Sequence, residues 1–334
     1  MAVDETLAGV SNAFIYSAML VYTGALAAFA VDLSGLGAGA RRETPETARV
    51  PATVTTPGGP EPHSDRASAL GPTSAAPPAR RRRAANIAIS LTWLAFALHV
   101  AGVAARGLSV HRPPWGNMYE FTVAASMVVT GAYLLVQRRR DVRYLGAFVV
   151  GPVLLALGLA VTVLYTQAAQ LVPALHSYWL GIHVSVAFVA TALFTLGAST
   201  TVLQLIQDRR EAAIAAERRP RVPRFMAGLP AAGELERSAY RLHAVAFPLW
   251  TFAVMAGAIW ADAAWGKYWN WDPKEVWSFV VWVVYAGYLH ARATRGWNGR
   301  RAAYLALAGY ACVLFNFGVV NVLFVGLHSY AGVG

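Results

Sequence analysis

Tryptophan is concentrated in one short stretch of this chain. Six of its eleven Trp lie between Trp260 and Trp282, and four of them fall within residues 265–277, which also contain Gly, Asp and Pro. Rings at this density can form an aromatic wall that stacks against a flat, apolar ligand with polar edges. The alternative is an interfacial belt at the headgroup level of a membrane, but a belt contributes only about one or two rings per helix end. The binding interpretation is therefore favoured, and the expected contact residues are Trp265, Tyr268, Trp269, Trp271, Asp272 and Trp277.

Two histidines lie at the same end of the apolar segments as this Trp-rich stretch. His183 is five residues into an apolar segment, with Trp179 one turn earlier on the same helical face. His328 directly follows the last apolar segment. Two neutral imidazoles on either side of an aromatic wall could bind opposite faces of a haem iron as its axial ligands. The alternative that stays open is that each His only forms hydrogen bonds at the membrane interface.

His290 is too far from these two residues to bind the same iron. It lies near the opposite end of its apolar segment, about a helix length from Trp277, or roughly 20 Å at 1.5 Å per residue. It could bind a second haem iron together with a ligand from elsewhere, and His243 is a weaker candidate near the same membrane face. Three further histidines are expected to be hydrogen-bonded fillers, namely His99, His111 and His176.

Two acidic residues next to these segments have a structural explanation. The run Asp272-Pro273-Lys274-Glu275 has the pattern of a capping box, with Asp at the N-cap, Pro at N1 and Glu at N3. The run from Asn117 to Glu120 has a similar pattern, so both glutamates are interpreted first as caps. Three cations on the same side could either pair with the carboxylates of a haem or extend along the membrane surface: Arg112, Lys267 and Lys274.

The composition is that of a membrane protein. The mean hydropathy is +0.44 and charged residues make up 13% of the chain, about half the share found in a soluble domain. Apolar segments of about 20 residues, enough to span a bilayer, recur along the sequence. We predict an all-α integral membrane protein with about eight transmembrane helices, at 10–31, 85–105, 119–136, 144–165, 178–206, 242–261, 273–291 and 302–325.

The net charge of +11 does not indicate nucleic-acid binding, because the basic residues are confined to one side of the predicted membrane. Of 28 Lys and Arg, 24 fall in the loops that follow the first, third, fifth and seventh segments. By the positive-inside rule these loops are cytoplasmic. The chain is therefore predicted to lie in the cell's inner or plasma membrane, with both termini and the Trp-rich loop on the extracytoplasmic side. Acidic but no basic residues precede the first segment, which predicts an anchor and no cleaved signal peptide.

The chain is expected to divide into three parts. Residues 1–33 form an N-terminal anchor, residues 34–84 form a disordered, basic, cytoplasmic linker, and residues 85–334 form one transmembrane domain. The single Cys312 lies within the last apolar segment, and the sequence contains neither a C-x-x-C pair nor a C-x-x-C-H motif. Disulfide exchange, and covalent haem attachment to this chain itself, are therefore excluded.

The motifs resemble those of a known family. The stretch Trp265-Gly-Lys-Tyr-Trp269-Asn-Trp271-Asp-Pro-Lys-Glu-Val-Trp277 resembles the WWD signature of haem-handling membrane proteins. The segments around His183, His290 and His328, and the run Pro114-Trp-Gly-Asn-Met-Tyr-Glu-Phe121, resemble those of the CcsA or ResC cytochrome c biogenesis family. Members of that family are subunits of the System II cytochrome c synthase. The resemblance extends from about residue 85 to the C-terminus.

The resemblance implies a role for each of these residues. His183 and His328 would be the axial ligands of an external, non-covalent haem b that stacks on the WWD residues. His290 would bind a haem held within the membrane, whose other ligand comes in fused family members from a CcsB/ResB-like portion that this chain lacks. The family presents haem to the C-x-x-C-H motif of apocytochrome c, where thioether bonds form. Residues 85–334 would thus be a CcsA-like haem-handling domain and part of a holocytochrome c synthase, or haem lyase.

Two other functions stay open. A membrane cytochrome b that carries electrons would need paired His at both membrane faces, and the inner face offers only His290 and His243. A haem exporter would bind haem but lack the attachment chemistry. A neighbouring gene for a ResB-like protein and one for a thiol reductase would favour the synthase.

Overall fold

The fold is helical throughout the computed structural model, which describes residues 3–39, 79–169 and 177–328. Within these ranges there are eight long helices and no strand, which confirms the predicted all-α architecture. Their bounds are α1 Glu5–Gly39, α2 Ala79–Val110, α3 Met118–Arg139, α4 Gly146–Thr162, α5 Tyr178–Ala215, α6 Ala232–Trp265, α7 Pro273–Arg295 and α8 Arg300–Phe317. A five-residue helix, α9 Val319–Leu323, follows α8.

Seven of the eight long helices among the described residues, α1 to α6 and α8, are long and apolar enough to cross a membrane. The exception is α7, which has 23 residues. It spans about 34 Å at 1.5 Å per residue, and this exceeds the thickness of a bilayer's hydrocarbon core. Its several Trp and Tyr residues and His290 make it less apolar than the other helices. It packs against α6 and α8, and its assignment as the seventh span stays a prediction.

The helix ends that matter for the site follow from local sequence signals. Asp272 caps α7 in a complete capping box, because its side chain accepts a hydrogen bond from the Lys274 N–H and Glu275 accepts one from the Asp272 N–H. This confirms the predicted box. Gly266 ends α6 in the left-handed conformation, at φ 73°, which glycine adopts at little cost. The turn from α6 into α7 therefore has a defined geometry.

The second predicted box is confirmed only in part. Asn117 does cap α3, because its side chain accepts a hydrogen bond from the Glu120 N–H at 2.9 Å. The Glu120 carboxylate, however, accepts from the N–H of Gly116 and forms ion pairs with Arg106 and Arg112, at 3.0 and 2.7 Å. Both arginines also donate to backbone carbonyls within residues 166–169. Glu120 thus holds α2, α3 and the segment after α4 together, a role that the capping interpretation did not foresee.

The bundle packs in two connected halves. The pairs α1 with α2 and α5 with α6 have the most extensive contacts, α3 packs on α4 and α5, and α7 packs on α8. One core cluster is formed mainly by α1 to α4 and contains Tyr22, Tyr133 and Leu157. A second is formed by α5 to α8 and contains Phe194 and Tyr285. A third, smaller cluster that includes Phe188 and Trp260 joins the two halves at one end of the bundle.

The bounds predicted for the linker between α1 and α2 need correction. Its first residues, 34–39, continue α1, and its last residues, 79–84, begin α2. Residues 79–84 are Ala and Arg, which are strong helix formers, so α2 begins before its apolar segment. Residues 34–39 include three Gly, so helix propensity does not explain the extension of α1. Residues 40–78, for which disorder was predicted, lie outside the described part of the chain.

Candidate functional site

A cavity of about 390 Å³ opens at the end of the bundle where α3, α5 and α7 begin and α6 and α8 end. This volume is within the range of about 300–1,000 Å³ that is usual for small-molecule sites. The walls are mainly apolar, and aromatic side chains from six different segments contribute to them. These are Trp115, Phe121, Phe188, Trp250, Trp260, Tyr268, Trp269, Tyr310 and Phe317.

His183 lines this cavity from α5. Its Nδ1 lies 2.7 Å from the carbonyl oxygen of Ala253 on α6. A carbonyl only accepts hydrogen bonds, so the ring proton is on Nδ1 and the lone pair is on Nε2. The ring packs directly against Gly257, where a Cβ would lie 2.8 Å from Cε1 of His183. The orientation of His183 therefore depends on the close approach of α5 and α6.

His328 lines the same cavity from the segment after α9. Its Nδ1 donates a hydrogen bond of 2.8 Å to Oδ1 of Asp272, the residue that caps α7. Burial alone would raise the pKa of the Asp272 carboxyl, but the hydrogen bond from His328 and the backbone N–H groups of Lys274 and Leu327 outweigh this and hold the pKa below its ordinary value. The Asp272 carboxylate accepts the ring proton of His328 Nδ1, as the Ala253 carbonyl accepts that of His183 Nδ1.

Trp260 connects the two histidines. Its ring is nearly parallel to the His183 ring, with centroids 6.2 Å apart and an interplanar angle of 12°, and it meets the His328 ring edge-on at 5.6 Å. Trp265 contacts both Trp260, at 4.8 Å, and His328, at 5.1 Å. The structure therefore brings His183, His328 and Trp265 together, as predicted from the sequence, around a tryptophan that the sequence analysis did not single out.

The other aromatic residues predicted for the site differ in whether they line the cavity. Tyr268 and Trp269 line the cavity. Trp271 has left-handed backbone, at φ 58°, and is 78% exposed, with its ring against the edge of Trp269. Trp277 packs on Phe315 at 4.1 Å and is not among the residues that line the cavity. The aromatic wall is therefore built partly from this loop and partly from residues of the helices.

Comparison with known proteins assigns the family. The family described as "Cytochrome C assembly protein" matches residues 115–328, a stretch that includes the whole WWD motif and all three candidate haem ligands. "Cytochrome c biogenesis protein CcsA" of Synechococcus elongatus is 36% identical over 267 residues, which cover 68% of this chain and 81% of that protein. The chain belongs to the CcsA cytochrome c biogenesis family. "Cytochrome c biogenesis protein CcsA" of Porphyra purpurea is 32% identical over 250 residues, covering 65% of this chain and 78% of the relative.

A solved structure has a similar fold. The chain superposes on "Cytochrome c Heme Lyase CcmF" with a TM-score of 0.58 and 17% sequence identity, over 99% of this chain and 50% of the other. The chain thus spans half the length of that protein, and at this identity the likeness concerns the fold alone. Together with the membrane-spanning helices, membership of the CcsA family makes this a multi-pass membrane protein with a role in cytochrome c maturation.

His290 of this CcsA-family chain lies outside the cavity. It is exposed on α7, and it follows Phe279 and Val283 along an exposed stripe of that helix. His243 is instead fully buried among Phe194 and the tyrosines of α7, and neither of its ring nitrogens has a hydrogen-bond partner in the described residues. The two inner-face candidates therefore have opposite environments.

Two of the three expected fillers are described, and His176 lies outside the described residues. His99 is fully buried, and its ring nitrogens lie 3.0 Å from the Val123 carbonyl oxygen and 3.4 Å from the Tyr22 hydroxyl. His111 is exposed in the turn after α2. His99 is therefore held by hydrogen bonds as a filler residue would be, and neither His lines the cavity.

The three cations considered as partners of a haem carboxylate have different surroundings. Lys274 lines the cavity and donates from Nζ to the Asn316 carbonyl oxygen at 2.7 Å. Arg112 is engaged with Glu120, and only 9% of its side chain is exposed. Lys267 is exposed and is not part of the cavity wall. Lys274 is thus the cation that a ligand in the cavity would meet.

Proposed function

We propose that this chain binds haem b in the cavity between His183 and His328 and presents it to the C-x-x-C-H motif of apocytochrome c. One observation carries the proposal: in a CcsA-family chain, two histidines line one aromatic cavity, and each has its Nδ1 held by a protein acceptor. Nε2 of each ring would then be the ligand atom. Metal-binding histidines usually donate their other ring N–H to a protein acceptor in this way.

The residues present fit a haem. A porphyrin already supplies four nitrogens to its iron, so two imidazoles complete six-coordination. The described residues contain no group of three or more His, Cys, Asp or Glu that could hold a bare metal ion. The mainly apolar wall suits the body of the macrocycle, and the position of Lys274 suits its carboxylate edge.

In the attachment reaction, the role of the protein would be to position the haem. Haem supplies two vinyl groups, and each thioether bond forms when a cysteine S–H adds across a vinyl C=C, with sulfur on one carbon and hydrogen on the other. This addition needs no external oxidant or reductant. His183, His328 and the aromatic wall would fix the haem plane so that its vinyl edge faces the apocytochrome, and fixed geometry can contribute most of the rate. The arriving histidine of C-x-x-C-H would then displace one protein ligand and release the product.

The orientation in the membrane is part of the proposal. The 24 basic residues in alternate loops support a cytoplasmic position for the end of the bundle that lies opposite the cavity. The cavity and the WWD loop would then face the outside of the plasma membrane, where apocytochrome c is matured.

A second haem site would be shared with a partner. His290 is exposed in the C-terminal half of α7, on the same face as the exposed hydrophobic residues Phe279 and Val283. A CcsB/ResB-like membrane protein that packs on this stripe would bury it and could supply the second axial ligand. The chain by itself would hold haem only at the His183–His328 site.

The test is the reduced optical spectrum of the purified chain and its variants. We expect a six-coordinate haem spectrum that becomes five-coordinate or disappears in His183→Ala and in His328→Ala. His111→Asn is the matched control, because His111 is exposed outside the cavity at φ 56° and Asn tolerates that backbone conformation. Haem that is retained unchanged in both alanine variants would contradict the proposal and favour a cytochrome b that uses other histidines.

A further inference from the structure

Four neighbouring polar residues of the cavity wall form a polar corner, namely Lys274, Glu275 and Ser278 of α7 and Asn316 of α8. These four residues are grouped on one side of an otherwise mainly apolar wall. Lys274 and Glu275 belong to the first turn of α7, directly after Asp272, which holds His328 by a hydrogen bond. The polar corner is therefore on the same side of the cavity as one of the proposed iron ligands.

The ammonium group of Lys274 is held in this corner without a neutralising contact. Its Nζ donates to the Asn316 carbonyl oxygen, which uses one of its three donor hydrogens. Among the described residues, no carboxylate lies within the 4.0 Å of Nζ that defines an ion pair. A charge in an apolar wall is costly unless it is paired, so Lys274 is a strong donor for an anionic group of a ligand.

Two buried acceptors in the same corner also lack partners. The capping box uses only Oε2 of Glu275, which accepts from the N–H groups of Asn270 and Asp272, and leaves Oε1 buried without a hydrogen bond. The Asn316 side chain is 3% exposed; its Nδ2 donates to Ser278, but its Oδ1 has no partner. Capping and helix packing therefore do not account for these oxygens, each of which would accept a hydrogen bond from a ligand or a bound water.

We propose that the polar corner is the subsite for a carboxyl group at the edge of the flat ligand and that it fixes the rotation of that ligand within the cavity. A carboxyl group can accept from Lys274 and, through its own proton or a bridging water, donate to Glu275 or Asn316. The inference rests on the proposed function, in which the carboxyl group is a haem propionate.

The consequence is selection of the vinyl edge. Two axial ligands hold an iron but allow the ring to rotate about the axis between them. A single anchor on one side of the ring removes that freedom, because only one set of orientations brings a carboxyl group to Lys274. The opposite edge, which carries the vinyl groups, is then directed away from the polar corner.

The experiment compares haem with haem dimethyl ester, in which both carboxyl groups are esterified, as ligands of the purified full-length chain. We expect the wild type to bind haem at least about tenfold more tightly than the ester, as the loss of a charge-assisted hydrogen bond predicts. In Lys274→Met this preference should fall to less than about twofold. Lys267→Met is the matched control and should keep the wild-type preference, since Lys267 is exposed outside the cavity.

The ring orientation provides an independent readout. The haem methyl resonances in the NMR spectrum of the wild type should indicate one in-plane rotation of the ring, whichever face is up, and those of Lys274→Met should indicate two or more rotations. Equal binding of haem and ester by the wild type, with the six-coordinate spectrum intact, would overturn the polar-corner proposal and leave the proposed function standing. A chain that gives no histidine-ligated spectrum with either compound would overturn both.

Discussion

Asp272 and His328 are joined by a hydrogen bond of 2.8 Å from Nδ1 of the imidazole to Oδ1 of the carboxylate. The same carboxylate caps α7 through the N–H of Lys274 and accepts from the N–H of Leu327. One buried aspartate thus fixes the start of a helix and the direction of the C-terminal histidine. In the proposed function Asp272 is a positioning residue, which acts on the iron through His328.

Replacement of Asp272 by Asn tests this role. Asparagine also caps helices and its amide oxygen can accept from His328, so the fold and six-coordination should persist. The carboxylate's negative charge makes His328 a stronger electron donor, which stabilises ferric iron. Its loss should therefore raise the reduction potential of the bound haem, as measured by a potentiometric titration. The control is Asp262→Asn on α6, which is outside the cavity wall, and an unchanged potential in Asp272→Asn would contradict the positioning role.

The pairing of His183 with His328 could be predicted from the sequence. Hydropathy places both at the same end of the bundle, and the capping-box pattern places Asp272 at the start of α7. The directions of the loop tryptophans could not be predicted, because they depend on backbone conformation. Trp271 has a positive φ and is exposed, and Trp277 faces Phe315.

The contribution of the helices to the site was harder to predict. Trp260 lies within an apolar segment, where a tryptophan is also compatible with simple packing, so its position between the two histidines required the structure. The Ala253 carbonyl that orients His183 is a backbone group of α6 and leaves no signal in the sequence. A possible signal was Gly257, a small residue four positions from Ala253 that allows close helix contact.

Gly257 supplies the second prediction. A Cβ at this position would lie 2.8 Å from Cε1 and 2.9 Å from Nδ1 of His183. Gly257→Ala should therefore displace the ring and break its hydrogen bond to the Ala253 carbonyl oxygen. We expect haem affinity to fall by about tenfold, in line with the loss of a group that orients a metal ligand. The measurement is a haem titration of the purified protein. Gly158→Ala is the matched control, because that helical glycine has no atom within 4 Å of the added Cβ.

The third prediction concerns stability. Glu120 is fully buried between Arg106 and Arg112, so Glu120→Gln would leave two buried guanidinium groups without their counter-charge. Removal of one partner from such a buried network costs about 3–5 kcal/mol, and the temperature of thermal unfolding in detergent should fall markedly. The control is Glu234→Gln, which breaks only an exposed contact of 4.0 Å with Arg237 and should change the unfolding temperature little. Similar unfolding temperatures for the two variants would show that the buried network is not stabilising.

The fourth prediction separates His243 from the haem ligands. Its two ring nitrogens are buried without hydrogen-bond partners, and Gly197 leaves room for the ring, since a Cβ there would lie 2.5 Å from Cε1 of His243. A polar group in that state destabilises the fold, so His243→Leu should unfold at the same or a higher temperature than the wild type. Gly197→Ala, which crowds the ring, should unfold at a lower temperature. The haem spectrum of His243→Leu should match that of the wild type, whereas loss of a haem signal would mean that His243 binds iron and that the inner site lies within this chain.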